Sequence, residues 1–417
     1  MNEIQAPKGV SEYYPPRSKN FEFIRETLIS AARLSGYELM ELPVFEETEL
    51  FKRGVGESTD VVSKEMYTFE DRGGRSITLR PEGTAGVMRS VIQYNLDKGT
   101  LPVKVWYSGP FFRAERPQAG RYRQFYQLGI EAIGLPSPEL DVEVIAVADR
   151  AFKKLGLSYR LDITSLGDSA SRSAHRKDLV DFISKMDLDE ATQKRAAINP
   201  LRLFDDKREE IISQMAKAPL LLDYLSMESA KSFSKVQELL GNLEIAFTVN
   251  PRMVRGLDYY TGTTFEFVSD KLGAQSGIGG GGRYDGLMAE LGGSDISGIG
   301  FGLGIDRILL ACEAEGLLPG ENDSNSLDLF LISLGEENKD YVVKLLNDLR
   351  NAGISADMAY GDRALKGSMK AADKSGAKFA VVIGDGEISS GICALKDMKS
   401  GQSKEVRLSA LAQEFAI

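Results

Sequence analysis

A single histidine, His175, stands among 417 residues that include 51 Lys+Arg and 61 Asp+Glu. Imidazole is the usual general base near neutral pH and the commonest metal ligand. One copy therefore leaves Ser-His-Asp and Cys-His catalysis, HExxH metalloprotease chemistry and histidine-based zinc sites without their parts. The two cysteines, Cys312 and Cys393, lie far apart with no CxxC. That argues against a disulfide framework and a cysteine zinc site, and it fits a reducing, cytoplasmic setting. No bound metal is expected, and arginines and carboxylates must carry the chemistry. His175, in SASRSAHRKDLV, reads as a solvated helix residue.

Three stretches gather such residues. KVWYSGPFFR, a Pro/Gly-rich loop and RQFYQLGIEAIG make an antiparallel hairpin. A period of two puts Arg123, Phe125, Gln127, Gly129 and Glu131 on one face, with Tyr126, Leu128 and Ile130 on the other. That pattern suits a sheet with one solvated face. It equally suits a nucleotide site in which Arg113, Arg116 and Arg121 grip phosphates and a ring takes the base. In RMVRGLDYYTGTTFEF, Arg255, Asp258, Tyr259 and Tyr260 crowd a strand start. Tyrosines there read as core residues with a wet hydroxyl, yet the charges beside them are hard to bury without a ligand or partner. GIGGGG satisfies G-x-G-x-x-G at Gly277, Gly279 and Gly282, but no clear hydrophobic strand directly precedes it, so the dinucleotide signature is weak. Turn and bulge chemistry, or a backbone passing close to a ligand, are its two readings. GxxxxGK(S/T) does not occur, which excludes a P-loop NTPase.

The elements that must hold these residues follow from periodicity. Phe21, Ile24, Leu28 and Ala31 or Ala32 recur at helical spacing before Gly36. ELMELPVFEE reads as a strand interrupted by Pro43, which cannot donate to a ladder. Residues 77–79 form a short strand, and a helix follows the turn at Gly83. From about 165 to 243 RKDLVDFISKM, KREEIISQMAKA and SFSKVQELLGNL are amphipathic, a helical insertion. Strands resume with FTVNPRMVRGLDYYTGTTFEFVSD, and ISGIGFGLGIDRILLACEAEG is a Gly-rich strand running into a helix. ENDSNS, at 321–326, reads as a linker. Beyond it, strands in LDLFLISL, ISADMAY, KFAVVIGD and ICALKDM and helices in KDYVVKLLNDLRNAG, LKGSMKAADKSG and LSALAQEF make a small α/β domain with a largely parallel sheet. The N-terminus lacks a signal-peptide core and no run of about 18 apolar residues occurs, so a soluble, unprocessed chain without membrane partners is expected. A net charge of −10 rules out a uniformly basic nucleic-acid coat.

FFRAERPQAGRYRQFYQLGIEAIG resembles motif 2 of the class II aminoacyl-tRNA synthetases. GIGFGLGIDRILL resembles motif 3, and the Phe21 helix with the strand near Pro43 is similar to motif 1. TLRPEGTAG, RGLDYYTGTTFEF and GGGRYDGL together match the histidyl-tRNA synthetase family, and the likeness covers nearly the whole chain. It implies an α+β catalytic domain over residues 1–325 on the class II antiparallel sheet of about six strands, with the helical insertion at about 166–243. An α/β anticodon-binding domain would occupy 326–417. The implied reaction is activation of L-histidine by ATP to histidyl-adenylate, then transfer to the 3′ end of tRNA(His), in a cytoplasmic homodimer joined through motif 1. Mg2+ would arrive with ATP as substrate, with no tightly bound cofactor. A carboxylate is already a nucleophile at neutral pH, so attack on the α-phosphate needs positioning and charge stabilisation rather than a general base.

By the same likeness Arg113 takes the α-phosphate and the histidine carboxylate, and Arg255 the α-phosphate, in the manner of a metal ion in other class members. Arg121 and Arg307 take the distal phosphates. Phe125 stacks on adenine, with Arg307 over its other face, and Glu115 meets the adenine amino group. Glu82, Thr84 and Gln127 hold the substrate ammonium, while Glu131, Tyr260 and the neighbouring Tyr259 line the imidazole pocket. Arg116, Gln118 and Arg123 face the tRNA acceptor end, and the insertion is similar to an acceptor-stem clamp. Many relatives carry cysteine pairs in the insertion; here the stretches read GDSASRSAHR, LDEATQKR and LFDDKREE. Ala114 and Tyr126 stand where relatives often show histidines. The nearest rival is the regulatory subunit of ATP phosphoribosyltransferase, a paralogue without the C-terminal domain. Arg255 and a full domain from about 327 to 417 weigh against it, and Arg113, Arg255, Glu131 and Arg307 weigh against a tRNA-sensing module.

Overall fold

The computed structural model describes residues 4–56, 59–318, 327–361 and 363–415, so the linker expected at 321–326 lies outside the described residues. The chain divides into two units, Met1–Leu318 and Pro319–Ile417. In the first, the strands are β1 (Glu38–Leu39), β2 (Phe45–Glu47), β3 (Thr68–Glu70), β4 (Ser76–Leu79), β5 (Val103–Phe112), β6 (Gln124–Ile133), β7 (Arg160–Ser165), β8 (Thr248–Val249), β9 (Thr261–Val268), β10 (Gly277–Arg283) and β11 (Gly298–Gly304). β5, β6, β11, β10, β9 and β7 lie side by side, each antiparallel to the next, and the short β1 and β8 add parallel edges. The expected hairpin is β5–β6, running from Val103↔Ile133 to Phe112↔Gln124.

Two expectations change here. The single strand interrupted at Pro43 is two strands in different sheets: β1 pairs with β5, while β2 joins β4 and β3 in a separate antiparallel sheet. Proline lacks the N–H that would carry one ladder across it. The glycine run GIGGGGR is itself β10, a central strand between β9 and β11, whose ladder with β9 shifts register at Gly277/Gly279 and Gly282/Arg283.

One face of the large sheet is apolar, carrying Leu128, Ile130, Ile163, Phe265, Phe267, Ile299 and Leu303. Helices Arg17–Leu34, Pro138–Leu155, Met227–Asn242 and Ile305–Glu315 cover it with Ile24, Leu28, Val144, Phe152, Val236, Leu240 and Ile308. Burying such side chains is worth about 1.5–3 kcal/mol each. On the opposite face Val105 and Ile133 pack against Val87, Met88 and Val91 of the helix Thr84–Gln93, and the rest is left to the site. A buried bidentate pair, Arg283 to Asp141 with Nε–Oδ2 3.2 Å, ties the end of β10 to the helix Pro138–Leu155.

The insertion is helical as expected. Asp168, Asp189 and Ser226 cap helices Ser169–Ile183, Glu190–Ile198 and Met227–Asn242 by accepting backbone N–H groups at 2.8, 2.9 and 3.2 Å. Leu179, Ile183, Ala196, Leu203, Ile211 and Met215 form a core of their own. His175 departs from its expectation: it lies on a helix but is only 2% exposed, with Nε2 2.9 Å from the Pro219 carbonyl and its ring edge-on to Tyr224. Burial lowers its pKa, so the neutral ring donates from Nε2 to that carbonyl.

In the second unit β12 (Leu329–Ser333) lies parallel between β13 (Ala356–Met358) and β14 (Phe379–Ile383), and β15 (Ile392–Asp397) and β16 (Ser403–Arg407) continue antiparallel. The sheet is mixed rather than largely parallel. Helices Lys339–Asn351 and Leu365–Lys374 pack on it through Val342, Leu346 and Ala372. Among the described residues no helix is long and apolar enough to cross a membrane.

Candidate active site

Glu131 lies on the face of β6 that turns away from Leu128 and Ile130, opposite Val105 of β5 and Gly300 of β11. It is 1% exposed. Three hydroxyls donate to it: Thr84 Oγ1 at 2.9 Å and Tyr107 Oη at 3.0 Å to Oε1, and Tyr284 Oη at 2.6 Å to Oε2. Burial pushes its carboxyl up to about 8 against the pull of those hydroxyls. Glu82, 5% exposed, sits at the start of helix Thr84–Gln93 and accepts Thr84 N–H at 2.7 Å and Ala85 N–H at 2.9 Å. Burial raises its pKa too, opposed by those N–H groups. Tyr259 Oη reaches Glu82 Oε2 at 3.4 Å and Thr84 Oγ1 at 3.5 Å. Among the described residues no Lys or Arg hydrogen-bonds to Glu82 or Glu131. This is a buried acidic recess matched to a small, multiply N–H-bearing cation.

Glycines make the recess possible. A Cβ on Gly129 or Gly83 would overlap the Tyr107 ring, one on Gly298 the Tyr284 ring, and one on Gly300 the Glu131 carboxylate. The aromatic and acidic side chains occupy space that other residues would fill.

The recess opens into a cavity of about 560 Å³ whose wall also holds Arg113, Arg121, Arg202, Arg255 and Arg307. Arg113 Nε donates to the Pro81 carbonyl at 3.0 Å, and its guanidinium lies 5.3 Å over the Phe125 ring. Arg255 lies 5.5 Å over the Tyr260 ring, with Nη1 3.7 Å from Glu266 Oε1. Arg307 donates from Nε to Gly120 O at 2.7 Å and from Nη1 to Gly277 O at 2.6 Å. Its neighbour Asp306 accepts Tyr126 N–H at 2.6 Å, which fixes the start of helix Ile305–Glu315 against β6. Arg121 pairs with Glu115 at 2.5 Å. Converging guanidiniums beside an acidic recess can hold a polyanion and a cation next to each other.

Comparison with known proteins agrees with that chemistry. A profile described as Histidyl-tRNA synthetase matches residues 9–308, and one described as Anticodon binding domain matches residues 328–416. The chain is 60% identical over 409 residues to the histidine–tRNA ligase of Saccharopolyspora erythraea, covering 98% of this chain and 97% of that one. The chain belongs to the histidyl-tRNA synthetase family. The corresponding ligase of Corynebacterium diphtheriae is 59% identical over 416 residues, covering 100% and 98%. Apo histidyl-tRNA synthetase of S. aureus superposes with a TM-score of 0.83 at 38% identity, covering 99% of this chain and 100% of that one. As a family member the chain is a class II, ATP-dependent histidine–tRNA ligase.

Of the residues singled out in sequence, Glu82, Thr84, Arg113, Glu115, Arg121, Phe125, Gln127, Arg255, Tyr259, Tyr260 and Arg307 line this synthetase's cavity, and Glu131 is bonded to its wall through Thr84, Tyr107 and Tyr284. Arg116 and Gln118 are exposed on the hairpin loop, where Gln118 and Arg121 close its tip with N–H···O bonds of 3.1 and 2.9 Å. Arg123 turns inward, donating to the carbonyls of Glu115 and Lys8, each at 3.3 Å. Sequence reasoning missed Tyr107, Tyr284, Arg202 and Asp205. Tyr107 faces Gly129 across the hairpin, so the register carried a signal for it. Nothing local marks Arg202 or Asp205, which arrive from the insertion.

Proposed function

We propose that this histidine–tRNA ligase forms histidyl-adenylate in the 560 Å³ cavity, with the buried Glu82 and Glu131 selecting the amino acid. The acidic recess carries the reading: two buried carboxyl groups held by hydroxyl and amide donors offer acceptor oxygens to an ammonium and an imidazole N–H. In this assignment Glu82, Thr84 and Gln127 hold the ammonium, and Glu131, Tyr259 and Tyr260 enclose the imidazole. MgATP enters as substrate. Phe125 offers a ring for adenine, Glu115 an acceptor for its amino group, and Arg121 and Arg307 donors for the distal phosphates.

The histidine carboxylate attacks the α-phosphorus, a P–O bond forms, and the bond to pyrophosphate breaks. Arg113 and Arg255 balance charge on the α-phosphoryl oxygens through this step. A hydroxyl of the 3′-terminal ribose of tRNA then attacks the adenylate carbonyl: an ester C–O bond forms, the C–O bond to AMP breaks, and the hydroxyl proton leaves with the departing phosphate. Arg116 and Gln118, on the exposed loop, would meet the acceptor end, with Arg123 bracing that loop. A homodimer through the motif 1 region and a cytoplasmic setting complete the proposal; the latter is supported by Cys312 and Cys393, both buried free thiols. An apolar analogue would bring no N–H to the remaining acceptor positions of Glu82 and Glu131 while excluding water from them, so discrimination of about 10⁴-fold needs no editing site.

Pyrophosphate exchange with MgATP, run separately with each of the twenty amino acids and no tRNA, tests the reading. Exchange with histidine alone is expected. Folded protein that exchanges with none, or equally with an apolar residue, would remove the assignment of the recess.

A further inference from the structure

The sheet alone does not close the cavity that holds Arg255. The 3-10 turn Pro200–Asp205 of the insertion brings Arg202 and Asp205 into its wall beside Val254, Arg255 and Gly256. Arg202 Nη2 donates to the Gly256 carbonyl at 3.3 Å, and Asn199 Nδ2 donates to Asp258 Oδ1 at 3.4 Å. In the other direction Arg252 Nη2 donates to the Ala216 carbonyl at 2.8 Å. Both ends of these bridges matter. Asn199 caps the turn through Oδ1, which accepts Leu201 N–H at 3.1 Å, and Leu203 is buried in the insertion's own core, so the turn moves with the insertion. Residues 251–258, by contrast, lie between β8 and β9 outside any ladder. Arg255 Nε has no hydrogen-bond partner among the described residues, and its contact with Glu266 is long, 3.7 Å. The guanidinium rests on the Tyr260 ring of its own segment and against Gly280 of β10, so its aim depends on where that segment sits, and side chains of the insertion hold the segment.

We propose that Arg202 is a positioning residue for Arg255: by gripping the Gly256 carbonyl it makes correct seating of the helical insertion a condition for adenylate formation. The proposal rests on the assignment of Arg255 to the α-phosphate. Asp205 lines the same wall as Arg202, Arg255 and Glu266; desolvation pushes its carboxyl up, Arg202 and Arg255 oppose the shift and Glu266 adds to it. A guanidinium misplaced by about 1 Å can cost on the order of 10²-fold in rate, so a loosened loop has a measurable effect.

Histidine-dependent exchange is measured on the full chain for Arg202→Met, Arg202→Lys, Arg255→Lys and the double variant Arg202→Met/Arg255→Lys. Arg202→Met is expected to lower kcat about tenfold or more, with both KM values within about twofold. Arg202→Lys keeps a donor for the carbonyl and should regain most of the loss. In the Arg255→Lys background Arg202→Met should change kcat by less than about twofold, because the group it positions is already gone. Equal losses in both backgrounds would show a general structural effect and overturn the proposal. A raised KM for ATP with unchanged kcat would make Arg202 a phosphate ligand and overturn it as well. Should Arg202→Met fail to fold, Asn199→Asp keeps the cap oxygen, removes the donor to Asp258 and should show the same split. Wild-type kcat in Arg255→Lys alone would instead remove the Arg255 assignment, an outcome read without the Arg202 variants.

Discussion

Glu131 is a carboxyl that the fold holds at about 8 instead of the ordinary 4.5. Between those values the native state carries a proton that the unfolded chain has released. Its contribution to stability is therefore fully present below about 4.5 and lost as pH rises through about 8. Gln is close in shape to the protonated acid, so Glu131→Gln should match the wild-type thermal midpoint near pH 5 and exceed it near pH 9. A gap that does not widen with pH would refute the buried-proton account. On the proposed assignment the same substitution turns an acceptor oxygen into an amide N–H facing the imidazole, leaves a buried donor unmet at a cost of about 1–3 kcal/mol, and should raise the histidine KM about 10- to 100-fold. On the same proposed assignment, Arg113→Ala and Arg255→Ala each remove a charge donor to the transition state. Single-turnover adenylate formation should fall about 10²- to 10³-fold with the thermal midpoint kept; near-normal rates would remove either assignment.

At the scale of elements, β10 shows why glycine is concentrated where no turn exists. A Cβ on Gly280 would lie 2.6 Å from the Phe265 carbonyl oxygen and 2.9 and 3.0 Å from Arg255 Nη1 and Nη2. Gly280→Ala must therefore move the strand or the guanidinium, and kcat for exchange should fall on the order of 10²-fold. Gly386→Ala, on the short helix Asp385–Ser390 of the second unit with open space around it, should leave kcat unchanged. Steady-state exchange on the pair checks both, and an active Gly280→Ala would mean that Arg255 is not confined there. The alternation of β6 is legible in the sequence alone: it separates Leu128 and Ile130, in the core, from Gln127 and Glu131, at the site. The break at Pro43 into two sheets is only half legible, because proline announces the end of a ladder and not where the next strand goes.

For the whole molecule, apolar side chains left at the surface mark where a second copy would dock. Leu39 is 55% exposed, Phe45 55% and Phe69 47%, on β1, β2 and β3 of the catalytic unit, near the motif 1 segment proposed to join two copies. Charge buried in an apolar contact is costly, so Phe45→Glu with Phe69→Glu should turn a dimer into a monomer in sedimentation velocity. An unchanged dimer would place the interface elsewhere.

The sequence by itself determined which residue types could act. One histidine and two distant cysteines excluded several chemistries, the period of β6 chose the face bearing Glu131, and the motifs alone pointed to the family. Tertiary structure decided what surrounds those residues. The donors to Glu131 come from positions 24, 47 and 153 residues away, on β5, a helix start and the segment after β10. Periodicity reports only which face a residue takes along its own element; which faces meet is set by strand register and packing. His175 marks the same limit. Its polar helical stretch predicted exposure, but the neighbouring turn and the Pro219 carbonyl cover it, and no pattern within the helix encodes a cover folded back from 44 residues downstream.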